Sequence, residues 1–231
     1  MKRFWTLAAP LPQDGGFRVQ LDKRLVKMPS GAPLCVASLK LAEAIAQEWN
    51  RTGAEFTPDD LPLTQMVCTA QERVALHREE IIRQLAAYGL NDLLCYRAEG
   101  PPELAARQHA QWDPWLRWLN ATHGIGLITT IGLMPVNQLP WTKEKLEALL
   151  AVRDDAALAA LGVLIPALGS FVLGLAAAEG ALEAQAACAA AALDELWQAE
   201  QWGDDPLDEA RRTRVLADVS AALDFLNLTR A

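Results

Sequence analysis

Histidine and tyrosine are scarce in this chain of 231 residues, with three of the first and two of the second. His77, His109 and His123 show no metal-ligand spacing, which sets aside the usual zinc frameworks. Cysteine is almost as sparse. Cys35, Cys68, Cys95 and Cys188 stand far apart, with no CxxC and no secreted-type framework, so reduced thiols in a cytosolic compartment are expected. A catalytic Cys–His pair has no local signature here. Positive charge is also in the minority: 21 Lys and Arg face 29 Asp and Glu, a formal charge of −8. Nucleic-acid binding needs clustered cations to displace counterions, and anionic membranes attract the same kind of surface. Neither partner suits this chain. Phosphate-cradling glycine loops of the GxxxxGK[ST] and GxGxxG types are missing, as is a GxSxG nucleophile elbow. The start, Met1 to Trp5, has neither the apolar run of a secretory signal nor the Arg/Ser-rich helix of a transit peptide. No long Leu/Ile-rich run is present either. Residues 156–178 carry no charge, but Pro166 interrupts them and Ala and Gly dominate. Two buried helices meeting near Gly162 to Pro166 are expected there, not a bilayer span.

What the chain does have is a core. At 52% hydrophobic residues, a chain of this length can bury about 70% of its unfolded surface. Phe17, Val19 and Leu21 alternate with Arg18 and Gln20, the period of a half-buried strand. Asp22-Lys23-Arg24 offers a turn, Leu25 to Met28 a returning strand, and Pro33 to Val36 a third. Ser38 then caps a helix with Leu41, Ile45 and Trp49 on one stripe. Beyond Pro58 and Pro62 the chain reads as helix: 66–75, 77–88, 103–120 kinked or restarted at Pro114, one from Thr142 as cap, 155–179 in two pieces, 181–202, and 208–226. A short β-branched island lies at 127–131. The expected fold is α+β, with a small antiparallel β-rich N-terminal domain carrying one helix (1–60) and a larger all-helical domain (61–231).

Three constellations carry possible chemistry. "DELWQAEQWGDD", residues 194–205, packs five carboxylates and two tryptophans into one helix and its end. Adjacent helical residues point about 100° apart, so Asp194 and Glu195 make a poor catalytic dyad. Ala190, Leu193 and Trp197 share one face, which puts Trp197 in the core. Glu195, Gln198 and Trp202 share another, an arrangement open to two readings: a solvated flank, or a stripe that binds a partner. The second constellation is Asp92 to Glu99, where Asp92 can cap a short helix and Arg97 can pair with a distant carboxylate. The third is Gln108, Trp112, Asp113, Pro114, Trp115 and Trp118, with Trp115 and Trp118 packing inward. Gly169 and Ser170, in an apolar helix, suit close helix packing better than nucleophilic catalysis.

In order along the chain, "RFW" (3–5), "GFRVQLDKRLVKMP" (16–29), "LAEAIAQEW" (41–49), "LPLTQ" (61–65), "NDLLCYRAE" (91–99), "QHAQWDPWLRW" (108–118), "GS" (169–170) and "DELWQAEQWGDD" resemble a family of assembly chaperones for the F-type ATP synthase. These chaperones bind the α subunit of the soluble catalytic sector. The resemblance spans nearly the whole chain. Two positions depart from it: Lys23 stands where the family usually has Gly, and Leu25 where it has Pro. The resemblance implies a cytoplasmic bacterial protein, since mitochondrial members carry a targeting extension. It also implies a monomer without cofactor, metal, catalysis or membrane insertion, which holds a free α subunit and prevents its self-association before the hexamer forms. Glu195 is then the leading contact residue, followed by Gln198, Glu200 and Trp202. Asp92, Arg97, Trp112, Asp113, Gly169 and Ser170 are implied to be architectural. The competing class is a small-molecule hydrolase using carboxylates of residues 194–205 with Arg97, which requires two of those groups to converge in a pocket with separated pKa values.

Overall fold

The computed structural model describes residues 1–132 and 134–231. They divide into two compact units. One comprises Met1–Arg78, Asp155–Ala160 and Ala221–Ala231, the other Glu79–Asp154 and Leu161–Ser220. The α+β class is as expected, with an antiparallel strand region at the N-terminus and a larger helical part after it.

The first unit is organised by β2 (Gly16–Leu21), the alternating strand, which pairs antiparallel with β1 (Ala8–Gln13), β3 (Arg24–Leu25) and β4 (Cys35–Val36). Strand β1 has no counterpart in the sequence reading, because Pro10 and Pro12 interrupt its pattern. Their spacing of two places both missing N–H groups on the outer edge of the strand, where no ladder partner is needed. The Ala8 N–H on that edge donates instead to Asn50 Oδ1 at 2.7 Å. The β2–β3 turn departs from a glycine-based one. Asp22 takes φ 53°, a conformation that Asp tolerates, and its carboxylate accepts the Thr6 and Leu7 N–H groups.

Helix α1 (Leu39–Arg51) starts at Ser38, whose hydroxyl accepts the Leu41 N–H at 3.2 Å, as the sequence suggests. It buries Leu41, Ala42, Ile45 and Ala46 and packs on β1 and β2. Trp5, Trp49 and Phe56 meet edge to face, with ring centroids 5.1–5.8 Å apart, closing the core beneath the sheet. After a 3₁₀ turn at Pro58–Asp60 come α2 (Pro62–Cys68), a π-helical turn (Thr69–Val74) and α3 (Ala75–Leu90), kinked at His77.

In the second unit, the 3₁₀ turn Leu93–Cys95 leads into β5 (Tyr96–Arg97), which pairs parallel with β6 (Thr130–Ile131). Between them runs α4 (Pro102–His123), continuous through Pro114. Helix α5 (Thr142–Ala151) begins differently from the expectation: Thr142 is buried as the first helical residue and caps nothing. Helices α6 (Asp155–Leu168), α7 (Phe171–Ala178), α8 (Ala184–Ala191), α9 (Leu193–Trp202) and α10 (Pro206–Thr229) complete the chain. Pro166 lies inside α6, so the expected break near Gly162–Pro166 moves to Gly169–Ser170. A proline forfeits one helical hydrogen bond and can be absorbed by packing, whereas Gly169 at φ 61° reverses the backbone outright.

The close α6–α7 crossing depends on a different glycine from the one expected. A Cβ at Gly169 would meet nothing within 4 Å, but one at Gly174 would lie 2.8 Å from Ile165 Cγ1 and 3.1 Å from the Ile165 backbone. Every residue of α7 is buried, which leaves little room for relaxation. Gly174→Ala is therefore expected to lower stability by about 1–3 kcal/mol. Gly162→Ala, at an exposed helical position with nothing nearby, is expected to raise it by about 0.4–1 kcal/mol. Chemical denaturation of both variants checks the contrast.

Candidate functional site

Asp92 sits at the head of the Leu93–Cys95 turn with its side chain wholly buried. As the sequence suggests, it caps that turn, accepting the Leu94 N–H at 2.9 Å. It also reaches the start of α7, accepting the Ser170 hydroxyl at 2.9 and 3.1 Å and the Val172 N–H at 3.0 Å. Ser170 in turn caps α7 by accepting the Leu173 N–H at 3.1 Å. A carboxylate at a helix N-terminus interacts favourably with the free N–H groups and the macrodipole. Burial nevertheless wins: it raises the Asp92 pKa to about 6, the hydrogen bonds offsetting only part of the desolvation. Gly169 and Ser170 thus act as helix stop and helix cap, not as small residues at a helix contact.

A second buried cluster fixes α4. Arg97, only 4% exposed, donates from Nη2 to Asp113 at 2.7 Å and stacks over the Trp112 ring at 5.2 Å. Its Nε and Nη1 have no hydrogen-bond partner among the described residues. The Trp112 Nε1–H donates to the Ala190 carbonyl at 2.8 Å. Gln108 accepts the Ala98 N–H at 2.8 Å and donates to Asp194 Oδ1 at 2.7 Å. Two of these bonds run from α4 to the α8–α9 region, so Trp112 and Gln108 hold the acidic helix and the one before it from behind.

Three of the four candidate contact residues, Glu195, Gln198 and Trp202, share one face of α9, whereas Glu200, about 140° around the helix from Glu195, lies on the side that meets α4. Glu195 is ion-paired with Arg211 of α10, and Glu200 makes a two-pronged pair with Arg107 of α4 at 2.8 and 2.9 Å. The Arg107 hydrogen bond lowers the Glu200 pKa. Gln198 is exposed, and Trp202 is 76% exposed. Helical spacing and exposure agree that Glu195, Gln198 and Trp202 form one outward stripe. Trp197 corrects the expectation of a core tryptophan. It is half-buried, its ring edge-on to Trp202 at 5.9 Å, because the ten-residue α9 buries Leu193 alone completely. Trp115 and Trp118 are likewise half-buried, 6.4 Å apart edge to face. Beyond Gly203, Asp204 pairs with Arg212.

Sequence inspection missed the three arginines that hold these carboxylates. Arg107 is 93 residues from Glu200, and Arg211 is 16 from Glu195, separations with no local signature. The carboxylates themselves do not converge: Asp194, Glu195 and Glu200 each face a different partner. Arg97 is engaged by Asp113, not by any carboxylate of 194–205. Burial raises the pKa of Cys95 to about 12 and that of Cys68 to about 11, so both are thiols, not nucleophilic thiolates, at neutral pH. Among the described residues no group of three His, Cys, Asp or Glu side chains is placed to hold a metal, and no helix is long and apolar enough to cross a membrane. Hollows among the described residues include two of note. One of about 570 Å³ in the first unit is lined by α1, Asp60, the start of α2 and the end of α10. The other, about 210 Å³ in the second unit, includes Glu195, Arg211 and Arg212 in its lining.

Residues 2–120 match the model of a family described as ATP12 chaperone protein. The mitochondrial atp12 protein of Schizosaccharomyces pombe is 28% identical over 214 residues, covering 87% of this chain and 74% of the yeast protein. The crystal structure of Atp12 from Paracoccus denitrificans is 37% identical and superposes with a TM-score of 0.91 over 99% of this chain and 98% of that one. A protein from Agrobacterium tumefaciens is 35% identical with the same TM-score, covering 98% of this chain and 85% of that one.

Two outcomes are expected at Asp92. Asp92→Ala strands the Leu94 and Val172 N–H groups and the Ser170 hydroxyl in the interior, at a cost of about 3 kcal/mol or more. The pH dependence has a definite sign. Folded Asp92 binds its proton more tightly than an ordinary carboxyl, so its contribution to stability falls as pH rises from 3.8 to about 6 and is level above that. The stability difference between wild type and Asp92→Asn should therefore shrink across that window, by an amount on the order of 3 kcal/mol. Urea titrations of both proteins at a series of pH values measure it.

Proposed function

We propose that this chain, which belongs to the ATP12 chaperone family and is a chaperone of ATP synthase assembly, holds the free α subunit of the catalytic sector on the outer face of α9. The observation that carries this reading is the outward stripe of Glu195, Gln198 and Trp202 on a helix pinned from behind. A tryptophan that is 76% exposed is costly to leave in water and well suited to anchor an interface. Glu195 beside it supplies orientation, since charged groups at an interface favour specificity over raw affinity. Glu200, tied to Arg107 of α4, lies about 140° around the helix from Glu195 and stands outside that stripe. The pinning matters because a preordered helix loses less entropy on binding.

In this reading the α subunit is covered where it later meets its β neighbours, and it is released when the hexamer assembles. The work is binding, not catalysis. The four free cysteines support a reducing compartment, and we place the protein in the cytoplasm of a bacterium, acting as a monomer. The hydrolase reading draws no support from the scattered carboxylates of 194–205.

Glu195→Lys is expected to weaken binding to isolated ATP synthase α subunit by about tenfold or more. It should leave the unfolding midpoint nearly unchanged, because an exposed ion pair such as Glu195–Arg211 is worth about 0.2–1 kcal/mol. Titration of the purified α subunit, with a thermal melt of the same sample, checks both halves. Unchanged binding, or weaker binding accompanied by a large loss of stability, removes Glu195 from the contact surface.

A further inference from the structure

We propose that Arg211 stands in, in the free chain, for an arginine of the client, and that client binding exchanges one guanidinium for the other on Glu195. This rests on the reading of Glu195 as a client contact and adds the partner's chemistry and the device that limits access to it.

Residues 194–209 contain Asp194, Glu195, Glu200, Asp204, Asp205, Asp208 and Glu209 and no Lys or Arg, and the folded chain pairs three of these acids with Arg107, Arg211 and Arg212, leaving the remainder in excess. A segment of that charge attracts a basic partner and repels an acidic one. Yet Glu195 is not waiting unpaired: Arg211, about half exposed, already occupies it. The pair belongs to the lining of the 210 Å³ hollow, which is apolar at Leu93, Leu168 and Val215 and charged at Glu195, Arg211 and Arg212. That volume lies below the roughly 300–1,000 Å³ of small-molecule sites and suits a single long side chain. An arginine meets both parts of the lining, its methylene stem against the apolar residues and its planar fork on the carboxylate. Trp202 and Leu207, 76% and 79% exposed on either side of the α9–α10 turn, offer apolar area to the residues flanking that arginine.

The exchange leaves Arg211 with an alternative partner. Asp208, one helical turn away, lies 3.8 Å from its Nε, so a displaced Arg211 swings onto its own helix without becoming a buried, unpaired charge. Intramolecular pairing thus lowers the affinity of Glu195 for stray cations, and only a client that also covers Trp202 and Leu207 gains enough to complete the swap.

Binding of isolated α subunit to wild type, Arg211→Gln, Glu195→Gln and the double variant tests this. Arg211→Gln should tighten binding by about two- to fivefold, the equivalent of one exposed ion pair released. The gain should vanish in the Glu195→Gln background. If Arg211→Gln weakens binding, Arg211 is itself a contact and the exchange is wrong. If it leaves affinity unchanged, or if the gain persists without Glu195, the exchange is equally overturned. Failure of the underlying reading looks different: Glu195→Gln then binds as wild type does, or the wild type does not bind α subunit at all.

Discussion

Much of the second unit is organised around one buried carboxylate. Among the described residues no cation pairs with Asp92, and burial raises its pKa. It is tolerated because the Leu93–Cys95 turn and the start of α7 both direct donors at it. That shared acceptor couples two segments roughly eighty residues apart in sequence and sets where α7, buried along its whole length, begins. Helix α7 in turn packs against α4 and α8. The arrangement exchanges some stability for a fixed connection, since the same space filled by apolar side chains would avoid the desolvation cost.

From that connection the ordering extends to the acidic helix. Helix α4 meets the α8–α9 region through Trp112 and Gln108, one bonding to the Ala190 carbonyl and the other to the Asp194 carboxylate. Asp194 and Glu195 are neighbours in sequence with opposite duties: Asp194 is held from behind by α4, while Glu195 looks outward. The 100° between adjacent helical residues lets one helix be anchored and available at once. A chaperone has use for that combination, because its client surface must be rigid enough to bind yet incompletely satisfied until the client arrives.

How far the sequence alone reaches depends on whether the signal is local. The β2 alternation, the Ser38 cap and the Asp92 cap are written within a few residues, and each is found where the spacing puts it. Strand β1 is hidden by its two prolines, which an edge position tolerates. Trp197 misleads because helical periodicity gives a face but not how much of it is covered, and a helix of ten residues with one fully buried side chain covers little. The break at Gly169–Ser170 loses to the more conspicuous Pro166 on inspection, since left-handed backbone is not readable from glycine alone. At the candidate site, the outward stripe of Glu195, Gln198 and Trp202 is legible from spacing, and the proposal that Glu195 is a contact comes from family resemblance. The arginines that restrain the carboxylates are not legible, because they depend on helices brought together only by folding.

The central claim is that the outer face of α9 and the turn that follows it receive the α subunit. Hydrogen–deuterium exchange of the chain alone and in complex with isolated α subunit addresses this most directly. The account predicts new protection concentrated in residues 194–209, with the backbone around Asp92 and α7 slow to exchange in both states. Protection confined to other segments, with 194–209 exchanging as fast in the complex as in the free chain, would contradict it.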